Sequence, residues 1–427
     1  MRTALTIVVM LMLLLGLTCA HAQPGPQGPP GPPGPAGAPG AMGPAGPAGP
    51  QGPQGPPGDA AAPPNLRAIL PADVYAVPGV ESSVYFDNII LHPNSELLLW
   101  DVDCAIGLQQ NERWTCVPTP EQVGDHALTI KLISPEAQVL EQFETTVHVV
   151  DPAAGSEQPL TMLCVGDSLT NASSYTARLV ELFAADESLG VKLIGENGPG
   201  GDTGNVHEGY GGWTCQAFAE RWDPEAEWKE VGGRNRRVRS PFIFEVDGQP
   251  RLDFQRYLDK NNGGAPPDFI TILLGCNDTF AADETNIEER IDAMFGHLDT
   301  LLAEFRRVAP DAQIGVLYLV PPSRHQDSFG ANYKCSQTRW QYRRNQHRVI
   351  EREMTTYLGR DAENIFMVPA FVNVDCVWGF PGAMVPPNAH SSDTIRRMSN
   401  GVHPTTPGYY QIGDGIYSWV KSRLAAR

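Results

Sequence analysis

Residues 160–169 read LTMLCVGDSL, in which six mostly apolar residues lead into Gly166-Asp167-Ser168-Leu169. The apolar run is long enough for one buried strand, and Ser173–Ala185 is expected to form the helix that follows it. A serine at such a strand-to-helix turn is exposed, and the helix N-terminus favours negative charge that develops beside it. Taken alone, the same four residues would equally suit a serine that only caps a helix.

Three further segments carry related signals at the ends of predicted elements. Residues 207–214, HEGYGGWT, form a glycine-dense turn that can bring a backbone N–H close to a ligand. A second buried-strand run, Phe269–Leu274, leads into Gly275-Cys-Asn-Asp278 at its carboxyl end, where open α/β sheets bind ligands. Asn400-Gly-Val-His-Pro404 precedes an amphipathic helix expected at Gly408–Leu424. Four such segments in order indicate a functional site.

With these four blocks, Leu160–Arg427 resembles the SGNH hydrolase family, the GDSL-type esterases. The resemblance implies an α/β fold for residues 157–427, a three-layer α/β/α domain with a mostly parallel sheet of about five strands. The remaining strands are then expected at Val191–Ile194, Ile314–Val320 and Ile365–Val368, and long helices at Ile287–Val308 and Ser336–Leu358.

The resemblance also assigns the site residues. It implies that Ser168 is the nucleophile and His403 the base that activates it. It places the oxyanion hole at Ser168, Gly212 and Asn277, with Gly209 as the other candidate glycine. These residue types suit acyl transfer, because a serine hydroxyl needs a base and the oxyanion needs donors fixed beforehand. The implied mechanism needs no metal or other cofactor, and the cysteine spacings match no zinc pattern.

Position 400 departs from the family pattern, which has an aspartate three residues before the catalytic histidine. Asn400 can still accept a hydrogen bond from the imidazole but brings no charge to stabilise the imidazolium. In another serine hydrolase, an Asp-to-Asn change of this kind costs about 10⁴ in rate. Three interpretations stay open: Asn400 supports a slow dyad with His403, Asp393 or another carboxylate replaces it, or the domain no longer catalyses.

The N-terminal residues predict export from the cell. Residues 1–22 have a basic start at Arg2, an apolar region and a small-x-small site at Ala20-His-Ala22, which together indicate a secretory signal peptide. The apolar region, about 15 residues long, is short for a membrane span. No later stretch is long and apolar enough to cross a bilayer. The mature protein is therefore expected to be secreted, extracellular or at the cell surface.

Residues 23–60 form a collagen-like segment in which glycine recurs at every third position through twelve consecutive triplets. Only glycine fits at the axis of a triple helix, so the pattern predicts a homotrimer, with a single-chain polyproline linker as the alternative. Residues 64–152 alternate short β-prone runs with turn residues and predict a small β-sandwich, either a packing module or a carbohydrate-binding one.

Cysteines and charge add further expectations. Cys104 and Cys116 are expected to form a disulfide across a hairpin in an oxidising compartment; Cys335 with Cys376, or Cys215 with either, are further possible pairs. The chain has 31 basic and 49 acidic residues, a net charge of −18, which disfavours a nucleic-acid partner.

Two insertions bear on specificity. Trp213–Pro267, with the basic run Arg234–Arg239, is expected to form a wall of the site or a solvated flap. Pro321–Gln337 contains His325, which lacks the sequence context of the base. We expect a secreted serine esterase that hydrolyses ester bonds and deacetylates a carbohydrate, with an acylated polysaccharide as its substrate. The rival is a trimeric extracellular carbohydrate-binding or adhesion protein with an inactive hydrolase fold.

Overall fold

The fold comes from a computed structural model that describes residues 67–155 and 159–426. Ala61–Arg427 form one compact unit, to which all of the described residues belong. The predicted signal peptide, residues 1–22, and the collagen-like segment, residues 23–60, lie outside the described residues, so both stay predictions.

The N-terminal part of this unit consists of short β-strands. They form a four-stranded sheet in the order β2-β9-β8-β5, a three-stranded sheet in the order β3-β7-β6, and the pair β1-β4. A β-sandwich domain over residues 64–152 stays a prediction. In chain order the elements are β1 (Arg67–Ala68), β2 (Asp73–Ala76), β3 (Ser82–Tyr85), α1 (Phe86–Ile89), β4 (Ile90–Leu91), β5 (Leu99–Cys104), β6 (Leu108–Gln109), β7 (Arg113–Cys116), β8 (Gly124–Ile133) and β9 (Val139–Val149).

The C-terminal part alternates strands with helices. Its first elements are β10 (Leu160–Gly166), α2 (Ser168–Asn171), α3 (Ser174–Ala185), β11 (Val191–Ile194), β12 (Glu208–Gly209), α4 (Cys215–Glu220), β13 (Trp228–Val231), β14 (Arg234–Arg237), β15 (Ile243–Val246), β16 (Gln249–Leu252) and α5 (Phe254–Asn261). They are followed by β17 (Phe269–Leu273), α6 (Cys276–Thr279), α7 (Ile287–Val308), β18 (Gln313–Leu317), α8 (Gln326–Tyr333), α9 (Arg339–Thr356), β19 (Ile365–Val368), β20 (Gly382–Val385), β21 (Ile395–Met398) and α10 (Thr406–Ala425).

A parallel sheet forms the centre of this part. Its strand order is β11-β10-β17-β18-β19, and the short strand β12 pairs with the carboxyl end of β10. Leu163 and Val165 of β10 belong to the apolar core shared with α7 and α9, whereas Met162 and Cys164 belong to the core shared with α3 and α10. Side chains that alternate along a strand thus enter two different layers. The expected α/β fold with a parallel sheet is confirmed.

The two parts of the unit are joined by buried hydrogen bonds. Asn88 Nδ2 donates to the carbonyl oxygens of Phe371 and Val374, both at 2.8 Å. The guanidinium of Arg343, on α9, donates to the carbonyl oxygen of Ile90 at 3.1 Å. Because buried polar groups that lose their partners are costly, these bonds fix the N-terminal strands against the α/β part.

The predicted disulfide between Cys104 and Cys116 is wrong, because both thiols are free. Cys104 ends β5 and Cys116 ends β7, and these strands lie in different sheets instead of forming one hairpin. The spacing of twelve residues suggested a hairpin that the chain does not make. Among the described residues all seven cysteines are free, including Cys215, Cys335 and Cys376.

Element bounds from the sequence agree closely with the structure, with two instructive differences. The strand expected at Ile314–Val320 ends at Leu317, because its partner β19 ends at Val368 and the next residue, Pro369, has no N–H to donate. The helix expected to begin at Ser336 begins at Arg339, where the Thr338 side chain caps it by accepting from the N–H of Gln341.

Candidate active site

The serine of the first block lies at the carboxyl end of β10, at the first residue of α2. Asp167 caps this helix, since its Oδ1 accepts from the N–H of Leu169 at 2.9 Å. Gly166 allows the tight turn, because a Cβ there would lie 2.0 Å from Thr170 Oγ1 and 2.9 Å from the carbonyl oxygen of Leu273. The sharp strand-to-helix turn therefore holds Ser168 at the edge of the sheet.

The histidine of the last block lies against this serine. His403 Nε2 is 2.8 Å from Ser168 Oγ, a hydrogen-bond distance. Burial lowers the pKa of the His403 imidazole, so the ring is neutral near neutral pH and able to accept a proton. The structure thus brings two predicted site residues, 235 positions apart in sequence, into direct contact.

Asn400 is close to His403 but does not touch its ring. Its Oδ1 accepts from the backbone N–H groups of Val402, at 3.0 Å, and His403, at 2.9 Å. Asp393 is exposed between β20 and β21. Among the described residues, no carboxylate contacts the imidazole of His403, and its Nδ1 has no hydrogen-bond partner. Neither proposed third member is placed at the ring, and Asn400 instead shapes the loop that carries the histidine.

The two candidate glycines of the second block differ in whether their N–H is free. The N–H of Gly209 donates to His207 Nδ1 at 3.1 Å, so it is already used. Gly212 lines the cleft beside Ser168 with φ +78°, and no acceptor for its N–H is found in the described part of the chain. The N–H of Ser168, at the first turn of a helix, has no intrahelical partner either. Gly212 is therefore the better oxyanion donor.

Asn277 lies in the cleft but its amide is engaged. Nδ2 donates to Asp167 Oδ2 at 3.1 Å and to the carbonyl oxygen of Trp213 at 3.0 Å. A carboxamide nitrogen has two hydrogens, and both are taken. Asn277 therefore links the first three sequence blocks, and it can donate to an oxyanion only by sharing one of these hydrogens.

Asp167 is the centre of this linkage, and sequence reasoning missed it. Besides the cap and the Asn277 bond, its Oδ2 accepts from Cys276 Sγ at 2.8 Å. The side chain is fully buried, and this burial raises the pKa of its carboxyl group to about 6. The signal was present in the sequence, since an aspartate before the first residue of a helix is a typical N-cap.

A cleft of about 490 Å³ opens above the serine and histidine. One wall is the hairpin β13–β14, which belongs to the insertion expected to form a site wall. The lining residues are Ser168, Asn171, Tyr210, Gly211, Gly212, Trp213, Arg221, Trp228, Arg234, Asn235, Arg236, Arg237, Asn277 and His403. His325 is not among them; its Nε2 lies 3.2 Å from the carbonyl oxygen of Val377.

A family model described as GDSL-like lipase/acylhydrolase matches residues 162–416, more than half of the 427-residue chain. The chain belongs to this family. This GDSL-like acylhydrolase is therefore an enzyme of the ester-hydrolysing class. No curated protein sequence matches the chain.

Solved structures with a similar fold include two family 3 carbohydrate esterases. That of Clostridium thermocellum is 16% identical with a TM-score of 0.36, and the match covers 63% of this chain and 98% of that one. That of Talaromyces cellulolyticus is 15% identical with a TM-score of 0.36, covering 63% and 99%. An acetyl xylan esterase, AlAXEase, is 10% identical with a TM-score of 0.32, covering 61% and 100%.

The GDSL-like acylhydrolase has a largely buried charged network in its cleft wall. Arg237 Nη1 donates to Glu196 Oε2 at 2.5 Å, and its guanidinium stacks 5.7 Å from the centre of the Tyr210 ring and 5.5 Å from that of Trp228. Glu208 accepts from the hydroxyls of Tyr210 and, at 2.8 Å, Tyr257. Burial raises the pKa of Glu208 to about 7. These residues hold the insertion against the floor of the site.

In residues 67–155 and 159–426, no group of three or more His, Cys, Asp or Glu side chains is arranged to hold a metal ion. Over the same ranges, no helix combines the length and apolar character needed to cross a membrane.

Proposed function

We propose that the protein is a serine esterase that removes acyl groups from a carbohydrate, with Ser168 as nucleophile and His403 as base. The observation that carries this proposal is the 2.8 Å contact between Ser168 Oγ and His403 Nε2 on the floor of the cleft. Nucleophile and base within hydrogen-bond reach are the recognisable signature of activated serine hydrolases.

The chemistry follows from this geometry. His403 Nε2 takes the Ser168 proton as Oγ attacks the ester carbonyl carbon, and the N–H groups of Ser168 and Gly212 receive the oxyanion. The protonated imidazole then gives its proton to the leaving alkoxide, which leaves an acyl-enzyme. The same ring takes a proton from water as the water oxygen attacks this ester. The bond between the acyl carbon and Ser168 Oγ then breaks, the imidazolium returns the proton to Oγ, and the acid product is released. Without a carboxylate at Nδ1, the imidazolium lacks a charged partner, so we expect slow turnover.

The residues of the cleft wall favour a carbohydrate over a lipid as the alcohol part of the ester substrate. Its lining includes Asn171, Asn235 and the three exposed arginines Arg221, Arg234 and Arg236, which are donors for hydroxyl and anionic groups. Trp228 and Tyr210 add aromatic surface. A long acyl chain would need a broad apolar lining, which the residues of this cleft do not supply.

Secretion and trimer formation belong to the same proposal and are supported by sequence alone. Residues 1–22 carry the signal-peptide pattern and residues 25–60 the unbroken glycine triplets. Light scattering at low temperature should give a trimer for the full mature chain and a smaller species once residues 25–60 are deleted. A monomeric full mature chain would rule out the trimer.

A second candidate is an extracellular carbohydrate-binding or adhesion protein whose hydrolase fold is inactive. One observation favours it: among the described residues, no carboxylate contacts His403. Hydrolysis of p-nitrophenyl acetate, butyrate and octanoate separates the two candidates. We expect turnover of the acetate by the wild type and by Ser422→Ala, a control whose hydroxyl donates to the Trp419 carbonyl oxygen on α10. Ser168→Ala should be inactive; equal rates in wild type and Ser168→Ala would exclude the proposed nucleophile.

A further inference from the structure

The charge of the cleft is opposite to that of the protein. Four of its fourteen lining residues are arginines and none is an aspartate or glutamate, although the whole chain carries a net charge of −18. Clefts that concentrate one sign of charge attract ligands of the other sign. The cleft is therefore electrostatically suited to an anion in spite of the net negative charge of the chain.

One of the four arginines is already neutralised. Arg237 is buried, with only 4% of its surface exposed, and its guanidinium pairs with Glu196 at 2.5 Å and Glu227 at 3.9 Å. Its Nε donates to the carbonyl oxygen of Arg239. This arginine supports the wall and is not available to a ligand.

The other three, Arg221, Arg234 and Arg236, are exposed and have no ion-pair partner in the described part of the chain. A neighbouring cation on the same hairpin does have acidic partners. Lys229, directly across the hairpin from Arg236, pairs with Asp223 at 2.6 Å and with Glu225 at 3.3 Å. The three cleft arginines thus lack the acidic partners that Lys229 and Arg237 have on the same hairpin.

The positive charges of Arg221, Arg234 and Arg236 have defined positions in the cleft. The guanidinium of Arg221 lies 4.7 Å from the centre of the Trp213 ring, and the carbonyl oxygen of Trp213 accepts from Asn277 beside the nucleophile. Arg234 and Arg236 are two positions apart on β14, so their backbones are spaced by about 7 Å along the strand. A row of separated charges suits an extended ligand that carries more than one anionic group.

From these observations we propose, on the basis of the proposed function, that the substrate is an acylated polysaccharide bearing carboxylates, and that Arg221, Arg234 and Arg236 bind these carboxylates. The planar guanidinium matches a carboxylate with two parallel hydrogen bonds. Anionic sugar chains repeat their charge at intervals, in keeping with the row of arginines, whereas a phospholipid presents its charge once at a headgroup.

The test compares two substrates that differ only at their carboxyl groups. One is an acetylated oligosaccharide of uronic acids, and the other is the same oligosaccharide after chemical reduction of its carboxyl groups. We expect the wild type to have a kcat/KM about tenfold higher for the charged form, the low end for charge-assisted hydrogen bonds at exposed side chains. Raising the salt concentration to 0.5 M should remove most of this preference.

The matched variants are two double substitutions that remove the same charge. Arg234→Gln/Arg236→Gln should reduce the ratio of the two kcat/KM values towards one. Arg251→Gln/Arg290→Gln, at exposed arginines outside the cleft lining, should keep the wild-type ratio. Equal kcat/KM for both substrates in the wild type, or a preference for a lysophospholipid ester over both, would overturn the inference.

A binding measurement separates this inference from the proposed function. Full-length Ser168→Ala should bind the uronic acid oligosaccharide about tenfold more tightly than its reduced form in calorimetry. If the wild type hydrolyses no ester and this preference persists, the proposed esterase function fails and the anionic site stands. If esters are hydrolysed and the two oligosaccharides bind equally, the anionic site fails and the esterase stands.

Discussion

The side-chain oxygen of Asn400 lies 2.9 Å from the backbone nitrogen of His403 and accepts its hydrogen bond. One of the three interpretations of the sequence had this oxygen accept from the imidazole, as the aspartate of the family does. The residue therefore shapes the loop that carries the base, and it does not hold the ring itself.

A set of three substitutions tests this role. Asn400→Asp keeps an oxygen for the N–H groups of Val402 and His403, so we expect kcat within about threefold of the wild type. Asn400→Ala leaves these groups without an acceptor and should lower kcat about tenfold. Asp393→Ala should have no effect. A large increase in kcat for Asn400→Asp would mean that the side chain does reach the ring.

The pH profile of ester hydrolysis reports on His403. The base must be neutral to act, and burial lowers the pKa of its imidazole below the ordinary value of about 6.5. Activity should therefore be complete at neutral pH and be lost as pH falls through a midpoint below about 6.5. This is measured as kcat/KM for p-nitrophenyl acetate between pH 4 and 8. A midpoint above 7 would indicate a negatively charged partner at the ring.

Glu208 should make stability depend on pH. Burial raises its pKa to about 7 in the folded protein, above the value of about 4.3 expected in the unfolded chain. Its contribution to stability is therefore full below about pH 4 and is lost as pH rises through 7. Glu208→Gln removes this titration. The melting temperature of the wild type relative to this variant should fall between pH 5 and 8, and a constant difference would contradict the shift.

Substitution of the two glycines separates folding from catalysis. A Cβ at Gly209 would lie 2.6 Å from the nitrogen of Asn171, so Gly209→Ala should lower the melting temperature strongly. A Cβ at Gly212 meets nothing within 4 Å, so Gly212→Ala lowers the free energy of unfolding only through its positive φ, by about 1–2 kcal/mol. We expect its main effect on kcat, through displacement of the N–H donor. Full activity in Gly212→Ala would assign that donor elsewhere.

Sequence reasoning succeeded where one strong local pattern decides the outcome. The apolar run before Ser168 and the helix-forming pattern of α7 depend on neighbouring residues, so their bounds are correct within a residue. The contact of Ser168 with His403 followed from the order of the family blocks.

It failed where the outcome depends on which strands or side chains meet in space. Cys104 and Cys116 are close in sequence, but their strands enter different sheets. The direction of the Asn400 oxygen depends on the N–H groups of Val402 and His403, which point at it only in the folded loop. The link from Asp167 to Cys276 and Asn277 joins segments more than 100 residues apart.

The ion pair between the buried Arg237 and the partly buried Glu196 affects how a ligand enters. Because this pair and the stacked rings of Tyr210 and Trp228 fix the hairpin β13–β14, the wall of the cleft is complete before a ligand arrives. Association then costs little backbone conformational entropy on the protein side, and the backbone should differ by less than about 1 Å between the free and bound states. The association rate should consequently be set by diffusion and charge, not by a slow closing step.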